Sequence, residues 1–566
     1  MRSSSTVGGL TVHAVAGTHA VLLGFDLVDP AGCLGFGVRR TDHTEDESYW
    51  LRGLKTFASL VPHPSPGMDF SLRDHPVQGF QWGDYTAKPD HEYTYDVVAW
   101  RGAPGALEPL LQASVRVRTE PEDDGTHGVW FNRGVAGSQA FAKRFGHSMP
   151  PAGADESHPA FAWLSRGLAE AFLAFVGRAS GPEWGLRGAF YEFTWGTGLK
   201  ALAAASAAGA DVALVVHGRD KDSDAAVAAG KDADRTAADN RAAVTAAGLD
   251  GVVTWRTAPL RSALQHNKFL VLTHHGQPVS VWTGSTNLTP GALFGHLNVS
   301  HLVHDPAVAA QFVDYWALLA DQASTTAVAR QWTETQNPVD PALPPPDGVT
   351  AVLSPRGTKS PLLDWYARTF DAATDSAHIT GAFGLHKVFR DVLARDRDVV
   401  RTVLLDKRPP RDTPVPATDP DVRTSWGDYL QHATLEGWAD EQLTGFNTWV
   451  KFVHTKVILV DPLTDSPTVF TGSANYSDNS TTDNEENTVV VRGAAARRVA
   501  DIYLTEYQRL FMHFVFRNWA TLDANDPEAI TAGAGHLDET SGWTERYYRP
   551  GGWRERQRRT FARTGR

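Results

Sequence analysis

One cysteine, Cys33, in 566 residues excludes an internal disulfide and a cysteine-rich metal site, and it fits a reducing cytoplasm. No run approaches the roughly 18 consecutive apolar residues of a membrane span, so no integral membrane segment is predicted. The opening Met1-Arg2-Ser3-Ser4-Ser5-Thr6 has no apolar stretch behind its single charged side chain and reads as lacking a signal peptide. Basic residues are in deficit, 53 against 65 acidic, for a formal charge of −12. The deficit is uneven: residues 546–566 hold eight Arg against one Glu, which leaves −19 on the first 545 residues. So acidic a body repels a polyanion, which excludes general nucleic-acid binding by charge alone. The Arg-rich tail can still contact an anionic surface. With 42% hydrophobic and 10% aromatic residues, disorder over most of the length is excluded.

The chain changes texture twice. Up to about residue 122 it alternates short β-branched and aromatic runs with turn residues. Examples are Val21-Leu22-Leu23-Gly24-Phe25, Gln81-Trp82-Gly83-Asp84-Tyr85, and Ala113 to Thr119. That period of two predicts a β-sandwich, similar in pattern to immunoglobulin and fibronectin modules. Beyond it, helical periodicity over 160–177 and the buried-strand run Asp211 to His217 predict alternating α/β structure. Five prolines in residues 337–348 mark a linker, and alternation resumes after it. The predicted division is a sandwich over 1–122, a first lobe over 123–336, the linker, a second lobe over 349–540 and a basic tail over 541–566.

The two lobes repeat one another. His266-Asn267-Lys268 recurs 188 residues later as His454-Thr455-Lys456. Each opens an apolar run, and each is followed, 18 residues after its His, by a Gly-Ser-x-Asn, at Gly284 and at Gly472. Gly188-Ala189-Phe190 also recurs, as Gly381-Ala382-Phe383. Matching motifs at one internal spacing predict a duplicated domain. On a strand, residues i and i+2 share a face, so each His and its Lys point the same way. A His for proton or nucleophile chemistry with Lys and Asn for anionic oxygens, all doubled, makes a phosphodiester site.

These residues resemble the phospholipase D superfamily, whose signature is His-x-Lys-x4-Asp followed by Gly-Ser-x-Asn. His454, Lys456 and Asp461 match in full, whereas Thr273 stands where the first copy's Asp belongs. The resemblance implies two α/β lobes related by a pseudo-twofold axis, with the site between them. It further implies metal-free cleavage, without cofactor, through a phosphohistidine. The residues carried over are His266, Lys268, Asn287, His454, Lys456 and Asn475, supported by Ser285, Ser473 and Asp461. Family members also carry an acidic residue behind each motif His. Glu486, 32 residues after His454, fills that place in the second copy, and its first-copy counterpart is Asn298. Glu486 is therefore expected to partner His454 and keep it protonated as general acid. His266, with Asn298 or no partner, is left neutral as nucleophile.

A phospholipid substrate fits the acidic body, and a nuclease fits the tail. A degenerate binding module fits Thr273 and the missing first-copy carboxylate. His274, His275, His301 and His304 lack metal-ligand spacing and read as surface or structural. The stretch from Phe131 to Arg144 reads as a phosphate-positioning entrance or a solvated loop. Residues 407–445 read as a lid or a plain insertion. The tail, with Tyr547, Tyr548 and Trp553 among its arginines, reads as a contact for anionic lipid or nucleic acid, or as a solvated disordered terminus.

Overall fold

The computed structural model describes residues 1–65, 68–134, 141, 144–145, 156–219, 234–257, 263–410, 412–415, 421–428, 450–520 and 536–564. Most of the 407–445 stretch, including Tyr429 and Trp438, lies outside them, as do residues 135–140 and 142–143 of the entrance loop.

The N-terminal unit is two four-stranded antiparallel sheets. Period-two alternation buries Tyr93, Tyr95 and Val97 of one long strand, and Val115 and Val117 of its partner. The two inner faces close over a core that includes Phe25, Phe36 and Phe80.

Each lobe is built on a seven-stranded mixed sheet, and strand for strand the two orders are the same. In the first lobe the order across the sheet is His127–Phe131, Val299–Val303, Gln277–Gly284, Lys268–His274, Trp184–Phe190, Asp211–His217 and Val253–Arg256. In the second it is Gly348–Ser354, Glu486–Arg492, Thr468–Gly472, Val457–Val460, Ser376–Gly381, Val400–Leu405 and Val422–Trp426. Each His-x-Lys thus leads into a central strand whose apolar residues are covered on both faces, as a continuous apolar run requires.

The helical run over 160–177 is two helices, Pro159–Ser165 and Leu168–Gly177. Arg166 and Gly167 between them both take positive φ, so the chain turns at that point. The Gly-Ala-Phe recurrence proves to be out of register. Gly188 pairs with Leu270, two residues past Lys268, but the residue paired two past Lys456 is Ile379, opposite Ile458. The structural equivalent of Glu192 is therefore Phe383.

The C-terminal segment is folded rather than a disordered tail. Helix Trp553–Ala562 packs on the sandwich strand Val21–Leu27, where a Cβ on Gly24 would lie 2.2 Å from the carbonyl oxygen of Phe561. Trp543 donates through Nε1 to the Cys33 carbonyl at 2.9 Å. Three of the tail's eight arginines are paired with other parts of the fold: Arg558 with Asp26, Arg556 with Asp421 and Asp398, and Arg563 with Asp375.

Candidate active site

The lobes meet through two matching backbone junctions. Glu485 N donates to Leu264 O and His266 N donates to Glu485 O, at 2.8 and 2.9 Å. On the other side of the axis, Leu297 N donates to Phe452 O and His454 N to Leu297 O, at 2.7 and 3.0 Å. Each lobe thereby inserts the residue 32 after its own motif His next to the other lobe's His.

That exchange overturns the expected pairing. Glu486 Oε2 accepts from His266 Nδ1 at 2.8 Å, and Asn298 Oδ1 accepts from His454 Nδ1 at 3.0 Å. Because both partners accept at Nδ1, each imidazole carries its hydrogen there and leaves Nε2 for chemistry. Ser285 Oγ donates to the same Asn298 oxygen at 2.9 Å, and Asn298 Nδ2 donates to Ala292 O and to His296 Nδ1, both at 2.9 Å. The amide is fixed on every side.

Both lysines are held alike. Lys268 Nζ donates to His266 O at 2.6 Å and Lys456 Nζ to His454 O at 2.7 Å. The glycines of the two Gly-Ser-x-Asn motifs have a steric reason. At φ 138° and 157°, a Cβ on Gly284 or Gly472 would come within 2.3 Å of the Val299 or Asn487 carbonyl oxygen. Those carbonyls receive the Ser285 and Ser473 amides at 2.9 Å, which closes the turn that presents each Asn. Asn287 donates through Nδ2 to Glu192. Among the described residues, Asn287 Oδ1 and Asn475 Oδ1 are buried without a hydrogen-bond partner, which leaves polar capacity open at the site.

Burial sets the electrostatics. His266 and His454 are 5% and 4% exposed. Burial pulls His266 down to about 4, with Glu486 opposing, and pulls His454 well below the usual histidine range, helped by Lys456. Both rings are therefore neutral near pH 7. Burial would raise Glu486, but His266 and Lys268 outweigh it and hold the carboxylate ionised. Burial likewise lowers Lys268 to about 8, against Glu486 and Glu192. Glu192 moves upward through burial, despite Lys268, Asn287 and Lys456.

Asp461 is not at this site. It follows the strand Val457–Val460, where its carboxylate accepts from the Thr374, Asp375 and Ser376 amides at 2.7–3.2 Å and ties down the loop before the strand Ser376–Gly381. Thr273 is the residue at the matching offset from Lys268. Thr273→Asp is accordingly expected to change kcat/KM by less than about tenfold, or 1.4 kcal/mol of barrier, in a steady-state assay.

Sequence reasoning missed several site residues. Tyr191 lies 4.8 Å from His266 between ring centroids, with Lys268 Nζ 5.4 Å from its ring, and His296 lies 5.1 Å from His454. Tyr191 and Glu192 follow directly on Phe190, which pairs with Lys268, so the strand ladder delivers them to the lysines. Of the four histidines flanking the first motif, His301 is buried in a chain from His127 to Tyr503, and His304 pairs with Asp123. His274 stacks on Trp184, and His275 lies against His274.

Residues 366–511, which hold the second motif pair, match the family described as cardiolipin synthase, PLD-like domain. Among solved structures the chain is similar to phosphatidylserine synthase of Haemophilus influenzae Rd KW20, at 12% identity over 61% of this chain and 84% of that one, with a TM-score of 0.43. It is also similar to Nuc of Salmonella typhimurium, a phospholipase D family member, at 24% identity over 27% and 85%, with a TM-score of 0.19. A polyphosphate kinase of Porphyromonas gingivalis matches at 12% identity and TM-score 0.36 over 60% of this chain, which spans about half (48%) of that kinase. A search of the curated proteins finds no match.

Proposed function

We propose that this chain, which belongs to the phospholipase D superfamily, is a metal-independent phosphodiesterase that works through a phosphohistidine on His266. The observation that carries this reading is the unequal pairing of the two imidazoles, a carboxylate on His266 and a neutral amide on His454. Nε2 of His266 attacks phosphorus and forms the P–N bond as the P–O bond to the leaving alcohol breaks. Positive charge builds on the His266 ring, where Glu486 offsets it. The leaving oxygen takes its proton from Nε2 of His454, and a bound diester anion favours the charged form of that ring. Nε2 of His454 then removes a proton from water or an acceptor alcohol, whose oxygen attacks phosphorus and frees His266. Lys268 and Lys456 balance the non-bridging oxygens, with the Asn287 and Asn475 amides beside them.

A phospholipid is the favoured substrate. The motif His and Lys side chains are almost fully buried, His266 and His454 at 5% and 4% exposed, which suits a diester carried on a slender arm. The inward ion pairs of Arg556, Arg558 and Arg563 remove three cations from any polyanion surface, which counts against a nuclease. Retention of both His, both Lys and both Asn counts against a degenerate binding module.

Hydrolysis of phosphatidylcholine, plasmid DNA and bis(p-nitrophenyl) phosphate, each with EDTA present, tests the reading. Phosphatidylcholine and the soluble diester are expected to be cleaved at rates the chelator leaves unchanged. Loss of turnover restored by a divalent ion would remove the metal-free mechanism. A pH profile gives a second check. With the Lys268 ammonium at about 8, kcat/KM in the free enzyme should hold below that pH and fall tenfold per unit above it. Burial, with the Lys268 charge beside it, also pulls Lys456 well below the usual lysine range, so Lys268→Arg alone should keep an alkaline limb and Lys268→Arg with Lys456→Arg should lose it.

A further inference from the structure

The site's pseudo-symmetry is broken at one pair of positions. Glu192 and Phe383 are equivalent by strand register, each four residues beyond a residue paired two past its motif lysine, Gly188 opposite Leu270 and Ile379 opposite Ile458. Glu192 is half-buried and feels both lysines, with the Asp234 carboxylate also near. Phe383 is 66% exposed, an unusual state for so large an apolar ring, and it lies 6.5 Å from the His454 ring.

A carboxylate in an anion pocket repels the substrate phosphate, so its presence calls for a use. Orienting Asn287 does not need a charge, since a neutral acceptor would receive the same N–H. Among the described residues, Asn287 is the one hydrogen-bond donor to Glu192, and a carboxylate can accept several more. Two lysine ammoniums are balanced by one carboxylate and one diester monoanion.

We propose that Glu192 is a specificity residue: its carboxylate receives an ammonium or hydroxyl donor on one alcohol of the diester, while Phe383 covers the other, apolar alcohol. The inference rests on the phosphodiesterase reading above and adds the chemistry of the two arms. For a phospholipid it favours headgroups that carry a primary ammonium or a hydroxyl close to the phosphate, with choline, which offers no N–H or O–H donor, cleaved more slowly.

Three p-nitrophenyl phosphate diesters, with 2-aminoethyl, 2-hydroxyethyl or propyl as the second alcohol, test it on the full-length chain. Wild type is expected to cleave at least one donor-bearing ester with kcat/KM ten or more times that of the propyl ester, and the better of the two identifies the donor. Glu192→Gln should bring an aminoethyl preference to within about threefold of unity, and Glu192→Leu should do the same for a hydroxyethyl preference. Because the readout is a ratio, a general loss of activity from freeing Asn287 cancels. A preference that survives both substitutions, or equal turnover of all three esters by wild type, overturns the assignment of Glu192. Turnover of none of the three by wild type removes the phosphodiesterase reading itself. Should neither variant fold, Glu192→Asp, which keeps the charge on a shorter arm, takes their place, and a donor preference within threefold of wild type in it overturns the assignment.

Discussion

His454→Asn is expected to carry a p-nitrophenyl diester as far as a covalent adduct and to stall there. The p-nitrophenolate leaves without protonation, so loss of the general acid spares the first step. The second step needs a base to activate water, and the substitution removes it. Steady-state turnover should fall by about 10⁴ or more, roughly 5.5 kcal/mol of barrier, while one equivalent of p-nitrophenol is released in a burst. Intact mass should show the added phosphoryl ester, and proteolysis should map it to the peptide that holds His266. His266→Asn should give neither burst nor adduct. An adduct on His454 in His266→Asn, with none in His454→Asn, would reverse the two roles.

The proposed roles are the ones expected from the sequence, but the physical reason offered for them differs. With Glu486 expected beside His454, the carboxylate serves to protonate the general acid. With Glu486 found beside His266, the proposed mechanism has it stabilise the imidazolium formed when that ring bonds phosphorus and make the neutral ring more nucleophilic. A ring paired with the neutral Asn298 gives up its proton more readily, as the acid step asks.

The motif pairs were legible in the sequence because they are local: His, Lys and the Gly-Ser-x-Asn lie at the ends of adjacent strands at fixed spacing, and the duplication doubled the signal. The equal offset of 32 residues to Glu486 and Asn298 was legible too. Which His each one serves was not, because that depends on the junctions of Glu485 with Leu264 and of Leu297 with Phe452 across the two lobes. Gly188-Ala189-Phe190 and Gly381-Ala382-Phe383 misled, since composition repeats there while hydrogen-bond register does not. That slip concealed the equivalence of Glu192 and Phe383. The Arg-rich tail suggested an exposed cationic surface, yet its partners Asp26, Asp375 and Asp421 come from distant parts of the sequence. Charge counts along a chain do not reveal which charges cancel after folding.

Glu486→Gln isolates the value of that one negative charge. The side chain is fully buried, and an amide of the same shape can still accept from His266 Nδ1, so geometry and tautomer are retained. The charge is lost, and with it the counterion for a phosphorylated imidazolium, since the other charges that act on the His266 ring, Lys268 and Lys456, are cationic. Screening by water is weak at this depth, so the loss should be large. Removing a carboxylate from beside a catalytic imidazole costs up to about 10⁴ in rate. Adduct formation by Glu486→Gln, read as the burst rate in the His454→Asn background, is expected to fall by about 10²–10⁴, or roughly 3–5 kcal/mol. Asn298→Asp supplies the mirror experiment. It adds a charge beside His454 and raises that ring's proton affinity, which assists the base step and opposes the acid step. For the activated leaving group, which needs no acid, adduct formation in Asn298→Asp should stay within tenfold of wild type. A Glu486→Gln burst rate within threefold of its parent, with an unchanged melting temperature, would mean that the carboxylate only orients the ring. The same small effect with a bound nitrophenyl ester and a large one in Asn298→Asp would move the nucleophile to His454.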